Sequence, residues 1–198
     1  MDHRSDLGTK FLKKDPRSDL WAKSFMKNQF KYIIAFLAVF LFRLLPMRTP
    51  NVEPIMAIIM PMGKIYGKLM AFTFGFLSIA LYDAVTSGFG IWTLITAFAY
   101  GFVGLGAQYY FKNRSGWKSY ASYAILATIL YDAVTGLTIG PLFFHQSFIV
   151  SLAGQIPFTI LHLLGNVSFA IVLTPSIERW FTKSDVRVVS REEIVLVS

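Results

Sequence analysis

The sequence predicts an all-α integral membrane protein, a compact bundle of six transmembrane helices with both its N- and C-termini in the cytoplasm. Three observations predict it. Of the 198 residues, 55% are hydrophobic and only 15% are charged, with a mean hydropathy of +0.53, whereas a soluble domain is roughly a quarter charged. The few charges are excluded from long apolar stretches, and the 19 basic residues gather at the ends of those stretches.

The same figures exclude several classes of protein. With no cysteine, the chain forms no disulfide, offers no thiolate and holds no cysteine-ligated zinc or iron–sulfur centre, although this leaves the compartment open. A net charge of +8 raises the question of a nucleic-acid partner, which the positions of the charges answer. Eight basic residues lie in the first 31, four follow the last apolar stretch (Arg179, Lys183, Arg187, Arg191), and between them stand Arg43 and Arg48, then Lys64 and Lys68, then Lys112, Arg114 and Lys118. With six spans and a cytoplasmic N-terminus, all but Arg43 and Arg48 face the cytoplasm, as the positive-inside rule prefers. The high charge therefore reports topology in a cell membrane and gives no support to nucleic-acid binding.

Taken in order, the basic clusters bound segments near residues 32–47, 53–63, 69–87, 91–111, 119–138 and 146–176. A span needs about 20 mostly apolar residues, which the third, fourth and fifth segments supply. The second is short and holds Pro54 and Pro61, so it is a tilted half-span or crosses with help from residues through Tyr66. Residues 133–177 contain no Lys, Arg, Asp or Glu, which is enough for two spans, but a seventh span would export the basic C-terminal tail. Residues 139 to about 150, interrupted by Gly140, Pro141, His145 and Gln146, are thus expected to form an outer loop or short half-helix. The N-terminal residues are too charged for a signal peptide. The organisation expected is a basic cytoplasmic tail over 1–31, a six-helix membrane domain over 32–181 and a cytoplasmic C-terminal tail over 182–198.

An internal repeat is the sharpest pattern. Leu81-Tyr82-Asp83-Ala84-Val85-Thr86 recurs as Leu130-Tyr131-Asp132-Ala133-Val134-Thr135, identical over six positions at an offset of 49. Glycines follow each copy (Gly88 and Gly90; Gly136 and Gly140) and are expected to end the helix there. In the six-span topology both copies point the same way, so the unit is a helical hairpin in parallel repeat, distinct from the inverted repeats of many transporters. Each copy places a carboxylate near the outer surface, where charge costs roughly 2.5 to 3.5 kcal/mol on insertion scales. Asp83 and Asp132 either hydrogen-bond at helix ends or line a polar pocket between helices.

Other polar residues fall at compatible depths. Arg43, Arg48, Asn51 and Glu53 surround the first outer loop, where an arginine either neutralises Glu53 or Asp83 or helps to recognise a polar small molecule. Trp92 opens the fourth segment as an interfacial anchor or a ring that stacks on a planar ligand, and Thr96, Tyr100 and Gln108 follow it inward. His162 and Asn166 lie four apart on one helical face, as an interhelical hydrogen-bonding pair or as ligand contacts. The candidate substrate-binding residues are therefore Arg48, Asn51, Glu53, Asp83, Trp92, Asp132, His162 and Asn166. No metal site, cofactor site or catalytic constellation is expected: the histidines give no ligand set, and Gly63 to Leu69 lacks the spacing and the Ser or Thr of a phosphate loop. Small residues at helix-packing intervals, among them Ala71 and Gly75, Ala97 and Gly101, and Gly104, suit close helix approach.

Several of these stretches carry a resemblance. Residues 48–54 (RTPNVEP), the short proline-containing second segment, the third segment ending in Asp83, residues 88–93 (GFGIWT), residues 97–104 (AFAYGFVG) and residues 162–166 (HLLGN) resemble the substrate-binding S components of energy-coupling factor (ECF) transporters over about residues 30–181. The resemblance implies a non-enzymatic subunit that captures a vitamin, a vitamin precursor or a metal ion from outside. It also implies a transmembrane coupling subunit and two cytoplasmic ATPases as partners, with the bundle tipping in the membrane to release its cargo. Two features depart from the family: Ala35 and Ala38 stand three apart where many members have Ala-x-x-x-Ala, and Gly67-Lys68 replaces a common glycine-proline.

Three functions are consistent with the residues. The first is the substrate-binding transporter subunit, taking a vitamin-like small molecule for ATP-driven uptake by partner subunits. The second is a stand-alone proton-coupled carrier or channel that uses Asp83 and Asp132. A small intramembrane enzyme is the third, with His162 and an aspartate as its only reactive pair.

Overall fold

The computed structural model describes residues 16–46 and 52–183, and among them every regular element is an α-helix. In chain order these are α1 (Pro16–Arg43), α2 (Ile55–Ile65), α3 (Lys68–Val85), α4 (Ile91–Phe111), α5 (Trp117–Phe143), α6 (Phe148–Val172) and α7 (Thr174–Thr182). The chain divides into a unit over residues 1–34, whose described part is the first stretch of α1, and a unit over 35–198 that holds everything discussed below. Thus α1 begins inside the segment read as the N-terminal tail. Among the described residues, α3, α4, α5 and α6 are each long and apolar enough to cross a membrane, so the chain is a helical membrane protein. The C-terminal tail lies outside the described residues from position 184 onward.

The short second segment turns out to be the centre of the larger unit. Ile55 to Gly63 are all buried, and α2 packs against α3, α4, α6 and α7. A helix apolar on every face needs cover on every face, and eleven residues make a rod only about 16 Å long, half the hydrocarbon thickness. Lys64, in its last turn, meets Glu178 of α7 at 2.5 Å and Ser115 at 2.7 Å, while the Tyr120 hydroxyl donates to the other Glu178 oxygen. The pair is about a fifth exposed, so Glu178→Gln is expected to cost about 1 kcal/mol. A thermal melt in detergent checks this as a midpoint lowered by roughly 2–4 °C.

The α3–α4 hairpin closes as its glycines predict. Gly88 adopts φ +82° and its N–H reaches the Asp83 carbonyl at 2.7 Å, a left-handed helix stop that a side chain would strain. Gly67, at φ +90°, precedes α3, and the Lys68 N–H donates to Gln108 at 2.8 Å. A proline at position 68 would have no hydrogen to give, which accounts for the Gly-Lys departure. Ala35 is buried whereas Ala38 is exposed.

In the second hairpin three expectations are corrected. Gly136 and Gly140 do not end α5, which runs on to Phe143 with Pro141 inside it. These glycines serve the approach of α6 instead: a Cβ on Gly136 would collide with the Gln155 side chain, and one on Gly140 would stand 2.6 Å from Ser151 Oγ. The outer loop or half-helix expected over 139–150 is accordingly reduced to residues 144–147, with His145 at φ +53°. Nor does the last segment continue as one helix to residue 176, because α6 stops at Val172 and α7 starts at Thr174. Pro175 cannot donate to the preceding turn, and the Thr174 hydroxyl bonds the Ala57 carbonyl of α2 at 3.1 Å.

Candidate functional site

The ends of α1 and α3, the starts of α2 and α4 and the middles of α5 and α6 enclose a cavity of about 200 Å³. Arg43, the last residue of α1, stands where a helix C-terminus favours a cation. Its Nε faces Glu53 Oε1 at 3.2 Å, Nη1 donates to the Ser78 carbonyl at 2.6 Å and the guanidinium lies 3.9 Å over the Tyr82 ring. Both partners of this ion pair are buried. The pairing expected of an arginine in this region is therefore Arg43 with Glu53.

Asp83 reaches the same wall from α3. Its Oδ2 accepts from the Thr93 hydroxyl at 2.7 Å, and Thr93 in turn accepts the Gly90 N–H at 3.2 Å. The turn after the first repeat motif thus folds back on its own aspartate, and Trp92 and Thr96 of α4 stand on the cavity wall. Trp92 is 40% exposed and forms part of the rim.

The second motif reaches the cavity through its tyrosine. Tyr131 lines the wall with its ring 4.4 Å from that of Tyr100 and edge-on to His162. Asp132 lies behind: its Oδ1 is 2.8 Å from His162 Nδ1, and His162 Nε2 is 3.2 Å from the Tyr100 hydroxyl. In the neutral form of the ring, Nδ1–H donating to the carboxylate leaves Nε2 to accept the tyrosine O–H. The chain Asp132, His162, Tyr100 holds a hydroxyl at the cavity floor. One turn along both helices, Asn166 donates to Thr128 at 2.9 Å. Asp132 Oδ2 and Asn166 Oδ1, both buried, have no hydrogen-bond partner among the described residues.

Of the residues singled out from sequence, Glu53, Asp83, Trp92 and His162 converge on this cavity, Asp132 and Asn166 stand a layer behind it, and Arg48 and Asn51 lie outside the described residues. Ile79, Tyr131 and Phe158 complete the wall without having been singled out. Tyr131 carried a usable signal, since it sits in the repeated motif beside Asp132; the two apolar residues carried none. Asp83 and Asp132 stand equally far from the first residues of their helices, Lys68 and Trp117, yet α3 stops two residues beyond the first whereas α5 continues through Phe143. Asp132 is thus an interior residue of its helix and not an end residue as the repeat suggested.

A helical membrane bundle whose interior holds a cavity with aromatic rings, an ion pair and a hydrogen-bonded histidine is built to hold a small molecule between its helices. The chain belongs to the family described as "ECF-type riboflavin transporter, S component", whose sequence profile matches residues 32–131. It is a substrate-binding transporter subunit of the ECF type. The matched stretch contains every residue of the cavity wall except Phe158 and His162. No curated protein and no solved structure matches the chain.

Proposed function

We propose that this chain captures riboflavin, or a vitamin of similar ring system, from outside the cell in the cavity between Arg43 and His162, for ATP-driven uptake by a transmembrane coupling subunit and two cytoplasmic ATPases. The observation that carries the reading is the convergence of Trp92, Tyr100, Tyr131 and Phe158 with Arg43, Glu53, Asp83 and His162 on one cavity in a chain of this family. Aromatic faces suit a planar heteroaromatic ring, and the polar groups suit its carbonyl, N–H and hydroxyl substituents. Six spans with cytoplasmic termini belong to the same proposal, as do contacts from Arg48 and Asn51. The topology rests on the distribution of basic residues.

Riboflavin fluorescence titrated with purified protein tests the proposal. Saturable quenching at one ligand per chain is expected, and the absence of saturable quenching would sink riboflavin as the ligand. Trp92→Ala removes a ring worth about 1 kcal/mol of stacking and is expected to weaken binding roughly fivefold while leaving the thermal midpoint of the unliganded protein within a degree or two. Proteoliposomes containing this chain alone address the carrier reading: gradient-driven uptake abolished by Asp132→Asn would displace the subunit reading, and the expected result is no uptake without ATP and partner subunits.

A further inference from the structure

Tyr131 belongs to two surfaces at once. One side faces the cavity, and the other borders an apolar groove of about 540 Å³ between α4 and α5. The rim of that groove is made by Phe102, Leu126, Leu130 and Val134, all exposed, over a floor that includes Ala127. In a membrane protein these exposed apolar side chains meet lipid. The groove follows from the packing: α3 with α4 and α5 with α6 form two close hairpins, while α4 and α5 meet less closely.

We propose that the cavity has a second, lateral mouth at Tyr131, and that the site takes an amphiphilic ligand with its polar part in the cavity and an apolar edge or arm in the α4–α5 groove. Three observations converge on this. Tyr131 is common to the linings of the two spaces. The cavity alone, at about 200 Å³, is below the roughly 300 Å³ at which small-molecule pockets begin, so a vitamin-sized ligand needs room that the groove supplies. The chemistry also divides at Tyr131, with Arg43, Glu53, Asp83 and His162 on one side and almost only apolar atoms on the other. Tyr131 is held by ring contacts to Tyr100 and His162, which a ligand ring in the cavity can replace. The proposal rests on the cavity being the ligand site and is independent of riboflavin being the ligand.

The absence of cysteine from the chain makes the route directly measurable. Thr96, on the cavity wall, is replaced in Thr96→Cys, and the full chain in lipid vesicles is treated with N-dodecylmaleimide, which partitions into the bilayer, or with water-borne N-ethylmaleimide. The expected result is labelling by the dodecyl reagent that Val134→Trp, on the exposed rim of the groove, slows about tenfold, because the added ring obstructs the route from the bilayer while the water-facing mouth beside Trp92 stays open. Labelling by N-ethylmaleimide is expected to be unchanged in Val134→Trp, which also shows that the fold is intact. Tyr131→Ala is expected to accelerate the dodecyl reaction. Dodecyl labelling that is absent, or that Val134→Trp leaves unaltered, would overturn the proposal whether or not riboflavin binds.

Discussion

Asp132→Ala is expected to destabilise the protein by about 2–3 kcal/mol, the upper part of the range for leaving a buried donor without its acceptor. Asp132 is 1% exposed and His162 is 3% exposed, and their 2.8 Å contact is the only hydrogen bond described for the imidazole Nδ1. Without the carboxylate, Nδ1–H loses its acceptor inside an apolar bundle, and the ring is free to adopt the tautomer that no longer accepts from Tyr100. Two measurements follow from one variant: the unfolding midpoint in detergent falls, and ligand affinity falls with it because the hydroxyl at the cavity floor is no longer oriented. Asp132→Asn keeps the volume and a carbonyl oxygen for Nδ1–H and is expected to recover most of the stability. The equivalent change in the first motif, Asp83→Ala, removes a hydrogen bond to Thr93 near the cavity rim and is expected to cost only about 1–2 kcal/mol. Equal losses at the two aspartates would contradict the assignment of Asp132 to the interior.

Gly104→Leu is expected to have an effect of comparable size by a different route. A Cβ at position 104 would collide with the backbone carbonyl of Ala71 in α3, which no rotamer change can relieve. Nearby, a Cβ on Gly75 would stand 2.6 Å from the Tyr100 carbonyl oxygen, so the two helices approach through a pair of glycines, one contributed by each. Forcing a leucine into this contact separates α3 from α4, and overpacking of a close contact costs about 1–3 kcal/mol and sometimes more. Because α3 carries Asp83 and α4 carries Trp92 and Tyr100, the separation also spreads the cavity wall. The expected result is loss of monodisperse protein in size-exclusion chromatography, or, in any folded fraction, loss of ligand binding; unchanged elution and affinity would show that the hairpin tolerates the bulk.

Much of this arrangement was legible in particular residues. The basic clusters delimit α3 and α4 closely, Gly88 marks the end of the first motif helix, and the small residues of the third and fourth segments mark the closest helix contact. The repeat pointed to Asp83 and Asp132. Other features were not legible for physical reasons. Glycine was read as a helix stop at both motifs, but the residue stops a helix only where the chain needs a left-handed turn, as at Gly88, and not where a neighbouring side chain occupies its missing Cβ, as Gln155 does at Gly136. Pro141 suggests a break, yet it lies in the last turn of α5, where a proline removes one hydrogen bond without ending the helix.

The sequence alone determined the solvent for which this protein is built, the approximate ends of α3 and α4 and the residue types that demand partners inside a bilayer. Those conclusions depend on local charge and hydropathy, which each segment carries independently of its neighbours. Only the tertiary structure decided that Arg43 pairs with Glu53, that Asp132 serves the cavity through His162 while Asp83 faces it directly, that the 11-residue α2 is the buried axis of the larger unit, and that Tyr131 is common to the linings of a polar cavity and an apolar groove. Each of these depends on which helix faces which, and identical six-residue motifs acquire different roles once one helix ends beyond its aspartate and the other continues.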